Sequence, residues 1–237
     1  MAAPLFSILI PTLRSRRDQF QKLHTKLTGQ IREHSLDQEV EIASFVDDGE
    51  HSVGFKRNRL IEQANGLFVA FVDDDDDVSD EYVPLICRTV KENPEIDCIG
   101  IKGQITFRGK HPRIFIHSVR YQDYFTSGGV YFRPPYHLNP IRRDIARRYR
   151  FEDISYSEDI DWAMRLCRDR ALRREVFLDQ VIYFYRSRRP WVYQWLLDLS
   201  EPVRHALGLR LSNRLRLKRR LRSVFKSKTN AEGDHAR

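Results

Sequence analysis

Five consecutive aspartates, Asp73 to Asp77, stop an uninterrupted apolar run from Leu67 to Val72. A strand-length run with no polar alternation is buried on both faces, which calls for a parallel sheet covered by helices. The flanking sequence fits that demand. Phe6 to Ile10, Val40 to Val46 and Cys98 to Lys102 read as further strands. Between them, Asp18 to Glu33 has Phe20, Leu23, Leu27 and Ile31 at helical spacing, and Phe55 to Ala64 and Asp80 to Asn93 also read as helices. Repeated strand–helix alternation predicts an α/β fold with a mostly parallel sheet flanked by helices. Ligands of such sheets bind beyond the carboxyl ends of the strands. Three of those ends are polar here: Pro11-Thr12, Asp47-Asp48-Gly49 and the aspartate run.

Carboxylates this close repel one another, so they hold protons or splay into water unless a cation lies among them. Hard divalent ions, Mg²⁺ or Mn²⁺, prefer such oxygens and can bridge them to a diphosphate leaving group. A run of charge is ordinarily a solvated turn. This one abuts a buried strand at the ligand-binding end of the sheet, which favours the functional reading.

Beyond Lys102 the pattern changes. Aromatic residues, Gly128-Gly129 and Pro134-Pro135 predict short strands and loops from Gln104 to Tyr136, read as the acceptor-facing part. Ile141 to Tyr149 and Glu158 to Arg168 read as helices, and Val176 to Tyr185 as a strand. Cys87, Cys98 and Cys167 lie at neither zinc-ligand nor redox-pair spacing and read as free thiols. The net charge of +8 is uneven: ten Lys or Arg and no acid lie between Arg204 and Lys228, and removing them leaves −2. The folded part is therefore mildly acidic, which argues against a nucleic-acid-binding core. In the basic segment Trp191, Trp195, Leu196, Leu199, Leu207, Leu211, Leu215, Leu221 and Phe225 interleave with arginines. A basic amphipathic helix of this kind lies on an anionic membrane surface, packs on the folded part or meets a partner. The first ten residues lack a signal-peptide layout and no apolar run would cross a bilayer, so a cytoplasmic protein is expected, at the inner face of a membrane if the basic segment binds there.

The stretch Ala64 to Asp76, a glycine and an apolar strand running into Asp-x-Asp, resembles the family 2 glycosyltransferases of GT-A fold. Other pieces follow in that family's order. Ile8 to Thr12 looks like its opening strand, and Val46-Asp47-Asp48-Gly49 like its nucleotide-contacting turn. Lys56-Arg57-Asn58 resembles its Ala-Arg-Asn, Ser157-Glu158-Asp159 its late Glu-Asp, and Tyr183-Phe184-Tyr185-Arg186 its closing strand. The resemblance covers roughly Phe6 to Arg189. There are departures: Leu60 stands where the family often has glycine, and Ser187-Arg188-Arg189 where many members carry histidine.

The resemblance implies a transfer of sugar from a nucleoside diphosphate donor, UDP- or GDP-linked, to a hydroxyl of a glycan or lipid-linked glycan, with inversion. It makes residues 1–189 the GT-A domain; from their own pattern, 190–228 read as a basic amphipathic helical extension and 229–237 as a disordered tail. Pro11, Thr12, Asp47, Asp48, Lys56 and Asn58 fall at the donor nucleotide. Asp73 or Asp74 falls at the ribose or assists the metal, and Asp75 is the principal ligand of Mn²⁺ or Mg²⁺. Asp159 falls at the base, with Glu158 and Asp161 as rivals. Ser157 reads as an N-cap, with acids in the first turn favoured by the helix dipole. Arg186 and Arg188 can meet the leaving diphosphate, and His137, between prolines, the acceptor or diphosphate. Tyr131, Tyr136 and Trp162 are candidate stacking faces for a sugar. Two alternatives remain. One is a phosphatase of haloacid-dehalogenase type, which also sets Asp-x-Asp after a strand but at the start of its domain. The other is an inactive membrane-bound scaffold.

Overall fold

The computed structural model describes residues 3–188. The extension and tail expected at 190–237, with their tryptophans and basic residues, lie outside the described residues, as does Arg189. The order of elements begins β1 (Phe6–Leu13), a single 3-10 turn, α1 (Arg17–Glu33), β2 (Val40–Asp47), α2 (Val53–Gln63), β3 (Phe68–Phe71), β4 (Asp77–Val78) and α3 (Tyr82–Glu92). It continues with β5 (Cys98–Phe107), β6 (Lys110–His117), β7 (Phe125–Ser127), β8 (Val130–Arg133), β9 (Ile141–Arg142), α4 (Arg143–Ala146), α5 (Glu158–Arg168) and β10 (Glu175–Ser187).

Parallel pairing joins β2 to β1, β1 to β3 and β10 to β5. The two-residue β9 is antiparallel to both β3 and β5, so those two strands point the same way. Five strands thus deliver their carboxyl ends to one edge, while β6, β8 and β7 extend the sheet beyond β5. The expected mostly parallel α/β fold is what the described residues form.

The unbroken apolar character of β3 has its cause in two cores. Phe68 and Ala70 join Phe6, Ile8, Leu27 and Ile86 on the α1/α3 face. Val69 and Phe71 join Leu9, Leu60, Trp162 and Leu166 on the α2/α5 face. Every β3 side chain is therefore interior. The edge strand β2 is only partly buried.

The helix expected over Ile141 to Tyr149 is not formed as such. Ile141 pairs with Val69 and Cys98 and fills the gap between β3 and β5, and only Arg143–Ala146 turns helical. Burial of Ile141 between two strands outweighs local helical preference. The strand at Cys98 runs on to Phe107 because β10 and β6 flank it. Cys87, Cys98 and Cys167 are free thiols.

Gly66 leads from α2 into β3 where the chain crosses the start of β1. A Cβ there would lie 2.4 Å from the Ser7 hydroxyl and 2.6 Å from the Ser7 nitrogen. Gly29, within α1, has nothing within 4 Å of such a carbon. Gly66→Ala is expected to lower stability by about 1–3 kcal/mol through overpacking. Gly29→Ala is expected to raise it by about 0.5–1 kcal/mol through helix propensity. Urea denaturation of the two variants checks both signs.

Candidate active site

The carboxyl ends of β1, β2 and β3 meet around two adjacent cations of α2. Lys56 is buried, donating to the Thr12 carbonyl at 2.9 Å and pairing closely with the Asp47 carboxylate. It thereby ties the end of β1 to the end of β2. Asp47 also accepts from the backbone of Gly49 and His51, each at 3.1 Å. Burial pushes its carboxyl up, but Lys56 and these N–H groups hold it below the usual range. Asp48 points outward to Arg14 at 3.1 Å.

Arg57 is 3% exposed and ties together the other side. It bonds Asp73 at 3.2 Å, Glu158 at 3.1 Å and the His137 Nε2 at 3.0 Å. Its guanidinium lies 5.4 Å from the centre of the Phe71 ring and 5.6 Å from that of Phe151. Burial opposes its charge, yet Asp73 and Glu158 raise its pKa above the ordinary value. In return Arg57, with His137, offsets the burial of Asp73 and holds that carboxyl well below its usual range. Glu158, more deeply buried, is pushed up to about 7 by desolvation despite Arg57, with Asp159 adding to the rise. His137 is not a solvated loop residue: it is 4% exposed, and burial and Arg57 push its pKa below the ordinary value against the pull of Asp73. With Nε2 accepting from Arg57, the proton sits on Nδ1, which has no partner.

The five aspartates have different surroundings. Asp74 is 2% exposed and accepts from the Thr12 hydroxyl at 2.6 Å and from Arg16 at 2.8 Å, lashing the turn to β1. Asp76 is buried, accepting from the Tyr183 phenol at 2.9 Å and the Arg186 nitrogen at 2.8 Å. Burial and Asp73 push its carboxyl well up. Asp77 pairs with Lys26 at 3.3 Å and Arg186 at 2.6 Å. Asp75 is partly exposed, near Arg188 at 3.1 Å and Arg16 at 3.6 Å. Burial and Asp73 still push it up against those arginines. A cleft of about 470 Å³ opens beside this turn, lined by Lys22, Lys26, Asp75, Asp77, Arg186 and Arg188 among others.

Among the described residues no group of three or more His, Cys, Asp or Glu converges on a point that would hold a metal. A magnesium-type ion does not need such a cage, since one or two carboxylates plus the phosphates of a substrate serve it. Asp75, partly exposed where it lines the cleft, fits that role. Asp73, already tied to Arg57, fits it less well.

The start of α5 is fixed from the other side. Gly54, in the first turn of α2, donates to the Ile154 carbonyl at 3.0 Å, and a Cβ there would sit 1.8 Å from the Glu152 carbonyl oxygen. Ser52 donates to Asp153 at 2.5 Å. Both polar ends of the Asn58 amide are bonded to the Phe151 backbone, at 2.9 and 2.8 Å, so this side chain clamps the loop before α5. Ser157 precedes the helix in a left-handed conformation, φ 70°, and makes no side-chain cap, unlike the capping expected of it. Of the three acids in the first turn, Glu158 faces Arg57 and Asp161 pairs with Arg165 at 2.8 Å. Asp159, partly exposed, accepts from the Tyr136 phenol and from the Ile160 nitrogen at 2.7 Å. Tyr131 and Trp162 are buried, with Trp162 stacked on Phe151 at 4.8 Å, so neither offers a face to a sugar.

The sequence reading assigned roles to Lys56 and Asn58 and none to Arg57, Arg16 or Tyr183. A signal existed for Arg57: it stands four residues before Ile61 on the stripe of α2 that the core needs apolar. Arg57→Met is expected to leave Asp73 and Glu158 without their buried counter-charge and to cost about 3–5 kcal/mol. Adding Glu158→Gln to that variant is expected to recover part of the loss. Urea denaturation of the single and double variants measures both.

No protein-family model matches the chain, and no curated protein matches it by sequence. Solved structures do match. Residues 1–349 of S. aureus TarS, a staphylococcal glycosyltransferase, in complex with UDP-GlcNAc superpose with a TM-score of 0.53 at 17% identity, over 78% of this chain and 59% of that one. The complex of the same TarS fragment with UDP gives 0.53 at 17% identity, over 84% and 68%. The structure of TarS itself gives 0.51 at 16%, over 84% and 41%. This chain therefore spans about 59% of the length of the first of these. The likeness is one of architecture: the described residues have a glycosyltransferase fold of the GT-A kind.

Proposed function

We propose that the protein transfers a sugar from a nucleoside diphosphate donor to an acceptor hydroxyl, in the manner of the inverting family 2 enzymes. The observation that carries this is the opposition, across Arg57, of the aspartate turn at the end of β3 and the partly exposed Asp159 at the start of α5. TarS, of like fold, binds UDP-GlcNAc and UDP.

In this reading the nucleotide lies over the ends of β1 and β2, at Pro11, Thr12, Asp47 and Asp48. Lys56 holds Thr12 and Asp47 in place from beneath. Asp73 stands ready for a ribose hydroxyl, its carboxylate kept charged by Arg57. Asp75 would hold Mn²⁺ or Mg²⁺ together with the donor diphosphate, and the ion would supply charge neutralisation to the leaving group. Arg16, Arg186 and Arg188 add fixed positive charge on the same side. Asp159 takes the proton of the acceptor hydroxyl as that oxygen bonds to the anomeric carbon and the bond to the diphosphate breaks. Tyr136 and the Ile160 N–H orient its carboxylate. Glu158, buried against Arg57, and Asp161, tied to Arg165, are less suited to that role. The phosphatase reading, which would use Asp74 to Asp77, loses support because two strand–helix units precede the aspartates and Asp74 is buried against Thr12 and Arg16. Among the described residues no helix is long and apolar enough to cross a membrane. The basic segment at 190–228 would seat the protein on an anionic lipid surface, where lipid-linked acceptors lie.

Calorimetric titration of UDP and GDP, with Mn²⁺ and then with EDTA, tests the donor site. UDP is expected to bind with metal, and Asp75→Ala is expected to weaken the metal-dependent binding by at least about tenfold, one carboxylate–cation contact being a charge-assisted one. Equal affinity in EDTA and in the variant would sink the metal assignment. Asp159→Asn is expected to bind UDP as the native protein does and to release UDP from UDP-GlcNAc at least about a hundredfold more slowly. Unchanged turnover in that variant excludes Asp159 as the base.

A further inference from the structure

Among the described residues Tyr185 is a large aromatic side chain at the carboxyl end of β10, beside the aspartate turn, that packing does not account for. Tyr183 and Tyr185 lie two positions apart on β10, opposite Gly103 and Ile105 of β5 without an intervening bulge, so they share a face of the sheet. Tyr183 marks where that face looks: it is fully buried, and its phenol bonds Asp76 and the Asp73 nitrogen. Tyr185, one step further along the strand, is 38% exposed. The next residue, Arg186, donates its backbone N–H to Asp76, which fixes this end of β10 against the aspartate turn. No hydrogen bond or ring contact is made by Tyr185 among the described residues, whereas the other tyrosines near the turn are all engaged. Burial and the carboxylates of Asp76, Asp73, Asp159 and Asp75 all push its phenol up. Contacts lead from this face to the candidate base: Tyr183 accepts from the Asp73 nitrogen, Asp73 and His137 share Arg57, and Tyr136, the neighbour of His137, donates to Asp159.

We infer that the ring of Tyr185 is the platform on which the acceptor sugar lies while its hydroxyl is presented to Asp159. This rests on the transferase reading above and adds the chemical class of the acceptor, a pyranose with an apolar face. The chemistry of a pyranose matches the surroundings. Its axial C–H groups form a flat apolar face that packs on an aromatic ring, and its equatorial hydroxyls radiate toward neighbours that accept hydrogen bonds. The Asp76 carboxylate, bonded to Tyr183 on the same face and to the Arg186 nitrogen, stands on this side as an acceptor, and the phenol of Tyr185 adds a donor. Tyr131 and Trp162 are excluded from this role by burial, and the Tyr136 hydroxyl is already held by Asp159.

The test is saturation-transfer NMR with the methyl β-glycosides of glucose, galactose and N-acetylglucosamine, with and without UDP and Mg²⁺. Native protein is expected to transfer saturation to the ring C–H protons of at least one of them. Tyr185→Phe is expected to keep the affinity within about threefold, since the aromatic face remains. Tyr185→Ala and Tyr185→Leu are expected to weaken it about tenfold, the scale of one lost aromatic contact. Thermal melting identifies which of these variants is folded, and the leucine variant keeps apolar bulk if the alanine variant is not. Unchanged binding in a folded variant overturns the proposal, as does the absence of binding to native protein. A loss confined to UDP-GlcNAc relative to UDP also overturns it, because the ring then serves the donor sugar. Failure of native protein to bind UDP counts against the transferase reading instead, and the glycoside titrations without UDP still decide the role of Tyr185.

Discussion

A guanidinium buried among two carboxylates, an imidazole and two aromatic rings is the interaction on which the site depends. Removing such a cation from water is costly, and only dense compensation repays it. Arg57 has that compensation because it draws it from separate parts of the chain: Asp73 after β3, His137 before β9 and Glu158 at the start of α5. Each of these would itself be a poorly placed polar group without the arginine. The charge network therefore does more than stabilise. It sets the separation between the strand ends on one side and the start of α5 on the other, where a difference of an ångström matters to chemistry.

The run of five aspartates looks uniform in sequence and is not uniform in space. Asp74 serves β1, Asp76 is held by β10, Asp77 answers Lys26 and Arg186, and Asp73 answers Arg57. Four of the five are thus tied into the fold, Asp76 and Asp77 sharing Arg186, and the turn is held from several sides. Asp75 is left on the open side, with Arg188 at 3.1 Å and Arg16 at 3.6 Å. Repulsion that would disperse such a run in water is here met residue by residue, and Asp75 is the member with the fewest ties to the fold.

Much of this was legible from the sequence, for a physical reason. An apolar strand without alternation reports burial on both faces wherever it occurs, so β3 and the parallel sheet were readable from Leu67 to Val72 alone. Helices with strong periodicity, α1 and α5, were placed to within a residue at their starts. Ile141 was misread because a two-residue strand has no periodicity of its own, and its state is decided by the gap between β3 and β5. Ser157 was misread as a cap because serine before a helix is ordinarily one, while the docked loop before α5 imposes the left-handed turn here. Arg57 escaped notice because side-chain roles on a helix depend on which face is interior. A cation on the apolar stripe is an exception to the pattern from which the helix itself is inferred.

Lys56 and Arg57 are neighbours on α2, turned from each other by about 100°. One reaches the ends of β1 and β2, the other the turn after β3 and the head of α5. A helix carrying two such prongs is keyed like a lock. Sliding it by one turn, about 5.4 Å, or rotating it by one residue would draw both prongs from their seats and strand their counter-charges. With Gly54 and Asn58 adding a third and a fourth point of attachment to the loop before α5, the helix acts as the fixed bar of a caliper whose jaws are the strand ends and the start of α5. The spacing between those jaws is thus set by α2, and adjustment in this part of the fold has to come from segments α2 does not hold, such as the loops around β7 and β8.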